Sequence, residues 1–158
     1  MVTLPQLIEE DICLLDGVLR DFLKSTEAAA ALVIDKGGFL ITHKGDADQF
    51  DLTTISALSS GAYLANQTIA NLVQETNFDS VYQQGDKFSM LVTNVDEHCL
   101  LVVIFPATTG VGVVKYFAAG VRTAIASQLK VAQDRDPEGG MDLSVLNCAD
   151  TSDFFKRR

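Results

Sequence analysis

Residues 32–73 read LVIDKGGFLITHKGDADQFDLTTISALSSGAYLANQTIANLV, and this stretch decides the fold. Residues 29–35 form a short apolar run that ends at Lys36-Gly37-Gly38, a pattern typical of a buried strand entering a tight turn. Residues 39–43 alternate between apolar and polar side chains, so we expect a second strand that pairs back on the first. A β-hairpin is therefore predicted, and a polar loop follows it.

A long helix is predicted after this hairpin. Asp51 is a good N-cap, because its carboxylate can accept hydrogen bonds from the free amides of the first turn, and the helix is expected to run to about Thr76. Six apolar side chains fall on one stripe with helical spacing: Ile55, Leu58, Ala62, Ala65, Ile69 and Leu72. A second line holds small residues and one leucine: Ala57, Ser60, Gly61, Leu64 and Thr68. The second line fits either a helix flank lying on a sheet or the close approach of another backbone.

Three further strands are predicted downstream. Residues 78–84 and 88–94 are joined by a turn at Gly85-Asp86. Residues 99–105, CLLVVIF, are apolar at every position, so we expect this strand to be covered on both faces and to lie at the centre of the sheet.

Two more helices are predicted, one at each end of this core. In residues 4–22 the apolar side chains recur every three or four positions, which indicates an opening helix with Thr3 as its cap and Pro5 in its first turn. A last long helix begins after Gly110 and ends in the charged stretch at residues 133–136.

The chain is predicted to contain one folded domain and a tail. Residues 1–136 form the domain, since 158 residues with 47% apolar side chains support a single core. Residues 137–158 start with a Pro-Glu-Gly-Gly linker and continue as an acidic C-terminal tail, which is either mobile or a short docking helix. The adjacent Phe154 and Phe155 are costly to leave in water and support the docking alternative.

The charge and the cysteines limit the class of protein. A formal net charge of −9 disfavours nucleic acid and anionic membranes, so a protein partner is expected. Cys13, Cys99 and Cys148 are odd in number and widely spaced, which indicates neither a disulfide framework nor a zinc site. The acidic start of the chain argues against a signal peptide. We therefore expect a cytoplasmic protein with reduced cysteines.

No catalytic or cofactor-binding pattern emerges from the residues. The nearest approach to a phosphate loop is GVGVVK at residues 110–115, and its spacing is wrong. His43 and His98 are the only histidines, and no serine or cysteine lies in the sequence context of an activated nucleophile. An arginine supplied in trans can stabilise phosphoryl transfer in a GTPase, but each arginine here is better explained as a solvated surface residue. We expect no cofactor, no metal and no enzyme activity of the chain's own.

The predicted segments resemble the Roadblock/dynein light chain superfamily, and in particular its bacterial MglB-like branch. The resemblance is carried by Ile34-Asp35-Lys36-x-Gly38, Asp51-Leu52-Thr53-Thr54, Ser60-Gly61, Gln84-Gly85 and Leu101-Val102-Val103-Ile104-Phe105. It implies an α+β, Roadblock-like (profilin/longin-like) helix-sheet-helix sandwich with a five-stranded antiparallel sheet. It also implies a homodimer in which the third strands pair and the middle helices pack together, which would protect the edge strand at residues 78–84.

The same resemblance implies a function. MglB-like proteins are similar in being GTPase-activating regulators of a Ras-like small GTPase in cell polarity or motility, and they insert no arginine finger. The implied partner-binding residues are Tyr63, Leu64, Gln67, Thr68 and Asn71, with Phe154 and Phe155 of the tail, and with Lys36 and Arg122 as lesser candidates. The implied dimer interface comprises Ala57, Ser60, Gly61, Phe78 and Val81.

Two alternative functions remain open at this point. The first is a non-catalytic scaffold or adaptor subunit of a signalling complex, whose binding would not depend on GTP or GDP. The second is a small-molecule sensor, for which the polar residues Thr42, Tyr82 and His98 offer only a scattered lining.

Overall fold

The computed structural model describes residues 3–135. In this range the chain forms three helices and five strands, in the order α1 (Glu9–Thr26), β1 (Ala30–Asp35), β2 (Leu40–Gly45), α2 (Leu52–Leu72), β3 (Ser80–Gln83), β4 (Phe88–Asn94), β5 (Cys99–Pro106) and α3 (Val111–Arg135). The strands form one antiparallel sheet in the order β2-β1-β5-β4-β3. One face of the sheet carries α2 and the other carries α1 and α3, so the predicted α+β helix-sheet-helix class is confirmed.

The all-apolar strand β5 lies at the centre of the sheet, as predicted. It pairs with β1 on one side and with β4 on the other, and its residues from Cys99 to Phe105 are buried. Leu101, Val103 and Phe105 pack with α1 and α3. The alternate side chains, Leu100, Val102 and Ile104, pack with α2. This strand therefore supplies both halves of the core, which requires an apolar residue at every position.

The edge strand β3 is shorter than predicted. Only Ser80–Gln83 pair with β4, whereas the sequence pattern predicts pairing over residues 78–84. The strand β4 matches its predicted range, and the β1–β2 hairpin is confirmed with β2 shifted to Leu40–Gly45.

The opening helix begins later than the sequence pattern predicts. Its first residue is Glu9, and the preceding Ile8 has an extended backbone, with φ −104° and ψ 173°. The Asp11 carboxylate accepts a hydrogen bond of 2.8 Å from the Ile8 N–H, which satisfies an amide at this end of the helix. Thr3 and Pro5 precede the helix, so the predicted Thr3 cap is wrong. Leu4 and Leu7 are buried outside it, and their spacing imitates an extra helical turn.

Asp11 also joins the start of α1 to the end of α3. Its carboxylate accepts hydrogen bonds from Arg135, at 2.9 and 3.1 Å, and from the Gln128 amide at 2.6 Å. Burial raises the pKa of Asp11, but the hydrogen bonds from Arg135, the Ile8 amide and Gln128 outweigh it and hold the pKa below its ordinary value. The helices α1 and α3 therefore run antiparallel, and one ionised carboxylate holds the start of α1 against the end of α3.

The β1–β2 turn sets the position of α2. Gly38 has a positive φ of 98°, and a Cβ atom there would lie 3.1 Å from the Ala57 Cα of α2. A glycine is needed for both reasons, since L-residues rarely adopt this φ and the helix backbone comes close. The Asp51 cap is confirmed, because its carboxylate accepts from the Thr54 N–H at 3.1 Å. The helix ends at Leu72 instead of near Thr76.

Candidate interaction surface

The inward face of α2 is built from serines and one tyrosine. Ser56 donates to the carbonyl of Leu52 within the helix, and Ser60 donates to the Lys36 carbonyl in the β1–β2 turn. Tyr63 is buried against the sheet, with the Lys36 ammonium 5.9 Å from its ring centroid. These contacts fix the rotation of α2 about its own axis, and small side chains let it lie close to the sheet.

The outward face of α2 is apolar and uncharged. Leu58 is 68% exposed and Leu72 is 79% exposed, and Leu64, Ile69 and Val73 are also exposed on or just after the helix. Leu52–Leu72 contains no Asp, Glu, Lys or Arg, so no charge interrupts this surface. Small residues separate the large ones, among them Ala57, Gly61 and Ala65. Contiguous exposed apolar side chains on a helix without charges are typical of a protein-protein contact.

One of the two edges of the sheet, strand β3, lies beside this helix. Within residues 3–135, β3 pairs on one side only, with β4. The Gln67 amide donates to the Phe78 carbonyl at 3.0 Å, which joins α2 to the chain entering β3. The Tyr82 ring stacks on Phe105 at 6.2 Å between centroids and is held on the face of α1 and α3. An exposed strand edge with unpaired backbone groups is a site for pairing with another strand.

The structure brings only some of the predicted site residues to this surface. Those exposed on the outward side of α2 are Ala57, Gly61, Leu64, Thr68 and Asn71. Ser60 and Tyr63 lie inside the protomer and are occupied by the turn and the core, so we remove them from the interface and the partner face. Gln67, Phe78 and Val81 are half-buried. Phe154 and Phe155, with the predicted domain boundary at residue 137, lie outside the described residues.

Sequence reasoning missed the most exposed apolar residues of α2. Leu58, Ile69 and Leu72 belong to the stripe with the stronger apolar periodicity, which normally marks the core face, yet they point outward. The signal for the inward face was the serine-rich line Ser56, Ser59, Ser60 and Tyr63, which has the same helical spacing. The inward face of α2 therefore carries the small residues, and the larger apolar side chains lie on its outward face.

The exposed acidic residues around α2 lie at its two ends. Asp46, Asp48 and Asp51 are exposed before the helix, and Glu75 and Asp79 are exposed after it. Hydrogen bonds from the Thr54 side chain and backbone lower the pKa of Asp51, so this cap is ionised at neutral pH. A partner that covers α2 therefore meets an apolar centre between acidic ends.

The predicted lesser contacts Lys36 and Arg122 are only partly accessible. Both side chains are half-buried, and burial lowers the pKa of Lys36. Lys36 lies over Tyr63 at the β1–β2 turn, and Arg122 lies on α3, across the sheet from α2.

Thr42, His98 and Cys99 are buried within the fold. Burial raises the pKa of the Cys99 thiol well above its usual range, which makes it a poor nucleophile. The buried His98 ring lies 3.4 Å from the Glu97 carboxylate. The Thr42 hydroxyl donates a hydrogen bond to the Asp16 carboxylate on α1. No group of three or more His, Cys, Asp or Glu residues in this part of the chain can hold a metal ion. Within residues 3–135, no helix has the length and hydrophobicity needed to span a membrane.

Comparisons with known proteins identify the family. The Roadblock/LC7 domain profile matches residues 14–105, from α1 to β5. Comparison of the sequence with curated proteins gave no match. Among solved structures, an MglB with a tetrameric arrangement is 29% identical with a TM-score of 0.77, and the alignment covers 84% of this chain and 99% of that one.

Two further solved structures agree with that match. The gliding protein MglB of Thermus thermophilus is 29% identical, with a TM-score of 0.76 over 83% of this chain and 99% of its own. The MglB of Myxococcus xanthus is 26% identical, with a TM-score of 0.74 over 80% of this chain and 96% of its own. The profile covers more than half of the sequence and the fold agrees with it, so this chain belongs to the Roadblock/LC7 domain family.

Proposed function

We propose that this chain is a homodimeric regulator of a Ras-like small GTPase and that it stimulates GTP hydrolysis without supplying an arginine. The single observation that carries the proposal is the uncharged, outward apolar face of α2 beside the free edge of β3. The likeness to MglB proteins, one of them a gliding protein, supports a role in cell polarity or motility.

Dimerisation would cover the outward apolar face of α2 and pair the free edge of β3 in one contact. Pairing of β3 with β3 of a second copy continues the antiparallel sheet and gives hydrogen-bond partners to the edge. The same two-fold axis brings the two α2 helices together, where Ala57, Gly61 and Ala65 allow close approach of the backbones. Leu58 and Leu72 are then buried at the joint surface.

The GTPase would bind the part of α2 that the dimer leaves accessible. Leu64, Thr68 and Asn71 are exposed and lie toward one side of the outward face. In residues 3–135 the arginines are Arg20, Arg122 and Arg135, and all are on α1 or α3. Arg122 interacts electrostatically with Tyr63, but Tyr63 is buried on the inward side of α2, so none of these three arginines is on the outward face of the helix. Activation would have to reposition the GTPase's own catalytic groups, because an inserted arginine is the usual alternative.

The test is GTP turnover by a Ras-like GTPase encoded in the same genome, measured with and without this protein. Leu64→Arg places a charge on the proposed GTPase face, and Thr123→Arg places the same charge on α3 at an exposed side chain. We expect acceleration by the wild type and by Thr123→Arg, and loss of acceleration in Leu64→Arg while that variant remains a dimer.

The possible outcomes separate the alternatives. Equal acceleration by Leu64→Arg would remove the GTPase site from α2. Binding that is equal for GTP and GDP forms, without acceleration, would favour the scaffold or adaptor alternative. No interaction with any Ras-like GTPase of the genome would refute the proposal.

A further inference from the structure

A second apolar surface lies on the outer side of the α1–α3 pair, across the sheet from α2. Asp11 is hydrogen-bonded to Gln128 and Arg135, so the start of α1 lies against the end of α3. Leu14 follows Asp11 by three positions and Val131 follows Gln128 by three, and residues with this spacing are neighbours on a helix surface. Leu14 is 43% exposed and Val131 is 51% exposed, so both flank the ion pair at the protein surface.

The apolar surface continues along α3. Val113, Phe117, Ala124 and Val131 are spaced by four or seven positions, which places them on one stripe of the helix. Val113 and Phe117 are exposed, and the Tyr116 ring packs edge-on to Phe117 at 5.2 Å between centroids. The stripe runs from the end of α3, where the chain leaves the helix, back to its beginning, about 27 Å at 1.5 Å per residue.

The segment that follows α3 has the composition and the starting point to cover this stripe. Arg135 is the last residue that the structure describes, and its two hydrogen bonds to Asp11 place it one helical turn after Val131, beside the start of α1. Pro137 cannot continue the helix, and Gly139-Gly140 allows the chain to reverse direction. The apolar residues after this reversal are Met141, Leu143, Val145, Leu146, Phe154 and Phe155.

The lengths are compatible with this path. The eight residues from Arg135 to Leu143 can span up to about 26 Å when extended, which is more than a reversal over Val131 requires. From Leu143 to Phe154 the chain spans about 16 Å as a helix and about 36 Å when extended, and Phe117 lies about 21 Å from Val131 along α3. A returning segment can therefore place leucines beside Val131 and the two phenylalanines near Phe117.

We propose that residues 141–155 of this chain bind in cis along the outer side of the α1–α3 pair, with Leu143 and Leu146 against Leu14 and Val131 and with Phe154-Phe155 toward Phe117. This contact is independent of the proposed α2 interface, because it lies on the opposite face of the sheet. The tail is then bound to its own domain, and a partner that binds the tail must first displace the tail from the α1–α3 surface.

The chain carries its own probes for this contact. Cys13 is exposed on α1 next to Leu14, and Cys148 lies within the proposed segment. Cys99 is fully buried and its thiol pKa is raised by burial, so it does not compete for a maleimide. We expect a bismaleimide to join Cys13 to Cys148 within one chain of the full-length protein, as identified by peptide mass spectrometry.

Substitutions on the proposed α1–α3 binding surface provide the decisive comparison. Val131→Asp and Leu14→Ser change exposed side chains, and each should cause loss of the Cys13–Cys148 cross-link without changing the far-UV circular dichroism. As a positional control, Thr53→Cys in a Cys13→Ser background puts the probe on exposed α2 and should give no cross-link to Cys148. The proposal would be overturned if the cross-link formed only between two chains or did not form at all. It would also be overturned if Val131→Asp and Leu14→Ser both gave as much cross-link as the wild type.

Discussion

Substitution of Leu58 by arginine tests the dimer that the outward face of α2 is proposed to form. Leu58 is 68% exposed, and complete burial of a leucine contributes about 1.5–3 kcal/mol, so a partner helix has about 1–2 kcal/mol to gain there. A two-fold interface contains this residue twice, which doubles the loss to about 2–4 kcal/mol per dimer. The dissociation constant should therefore rise roughly 30-fold to several hundred-fold. Desolvation of the two introduced charges adds to this loss.

The assay is sedimentation equilibrium over a range of protein concentrations, with circular dichroism to confirm the fold. Leu72→Arg should act in the same direction, because Leu72 is 79% exposed on the same side of the helix. Thr123→Arg is the matched control, since it adds the same charge at an exposed position on the other face of the sheet. A Leu58→Arg protein that dimerises as tightly as the wild type, or a wild type that is monomeric at every concentration, would refute the reasoning.

Three other substitutions test the fold that holds this surface. Asp11→Asn removes a carboxylate that Arg135 binds with two hydrogen bonds, and it should lower the free energy of unfolding in urea by about 1.5–3 kcal/mol. Because the pKa of Asp11 is lower in the folded chain than in the unfolded one, its contribution is present above about pH 4 and is lost as the pH falls below that value, and Asp11→Asn should flatten this part of the stability profile. Gly38→Ala strains a φ of 98° and presses on Ala57, so urea unfolding should show a loss of about 1–3 kcal/mol. Gly17→Ala meets nothing within 4 Å in the middle of α1 and should instead stabilise by about 0.5–1 kcal/mol, and a loss there would contradict the local geometry.

The sheet could be predicted from the sequence because its constraints are local. An unbroken apolar strand can lie only at the centre, and β5 does so. The Gly37-Gly38 turn fixes the first hairpin, and Asp51 marks the start of α2. The start of α1 could not be predicted, because its cap depends on Asp11, whose other partners lie more than one hundred positions away on α3.

The orientation of α2 could not be predicted for a related reason. Periodicity identifies an apolar stripe, but it does not say whether the same chain or another one covers it. Leu58, Ile69 and Leu72 form such a stripe and point away from the sheet, whereas Ser56 and Ser60 face the fold and donate to nearby carbonyls. The resemblance assigns Tyr63 to a partner face, and its burial beside Lys36 is visible only in three dimensions.

The proposed GTPase site and the proposed dimer contact share one helix, and this has a kinetic consequence. If the GTPase binds a surface formed by α2 of both copies, a monomer presents only half of that surface. Acceleration of hydrolysis should then fall with the square of the regulator concentration below the dimer dissociation constant and linearly above it. A variant such as Leu58→Arg would lose activity through dissociation and recover it at high protein concentration, whereas Leu64→Arg would lose it at every concentration. The dependence of activity on protein concentration would thus distinguish the dimer contact at Leu58 from the GTPase contact at Leu64.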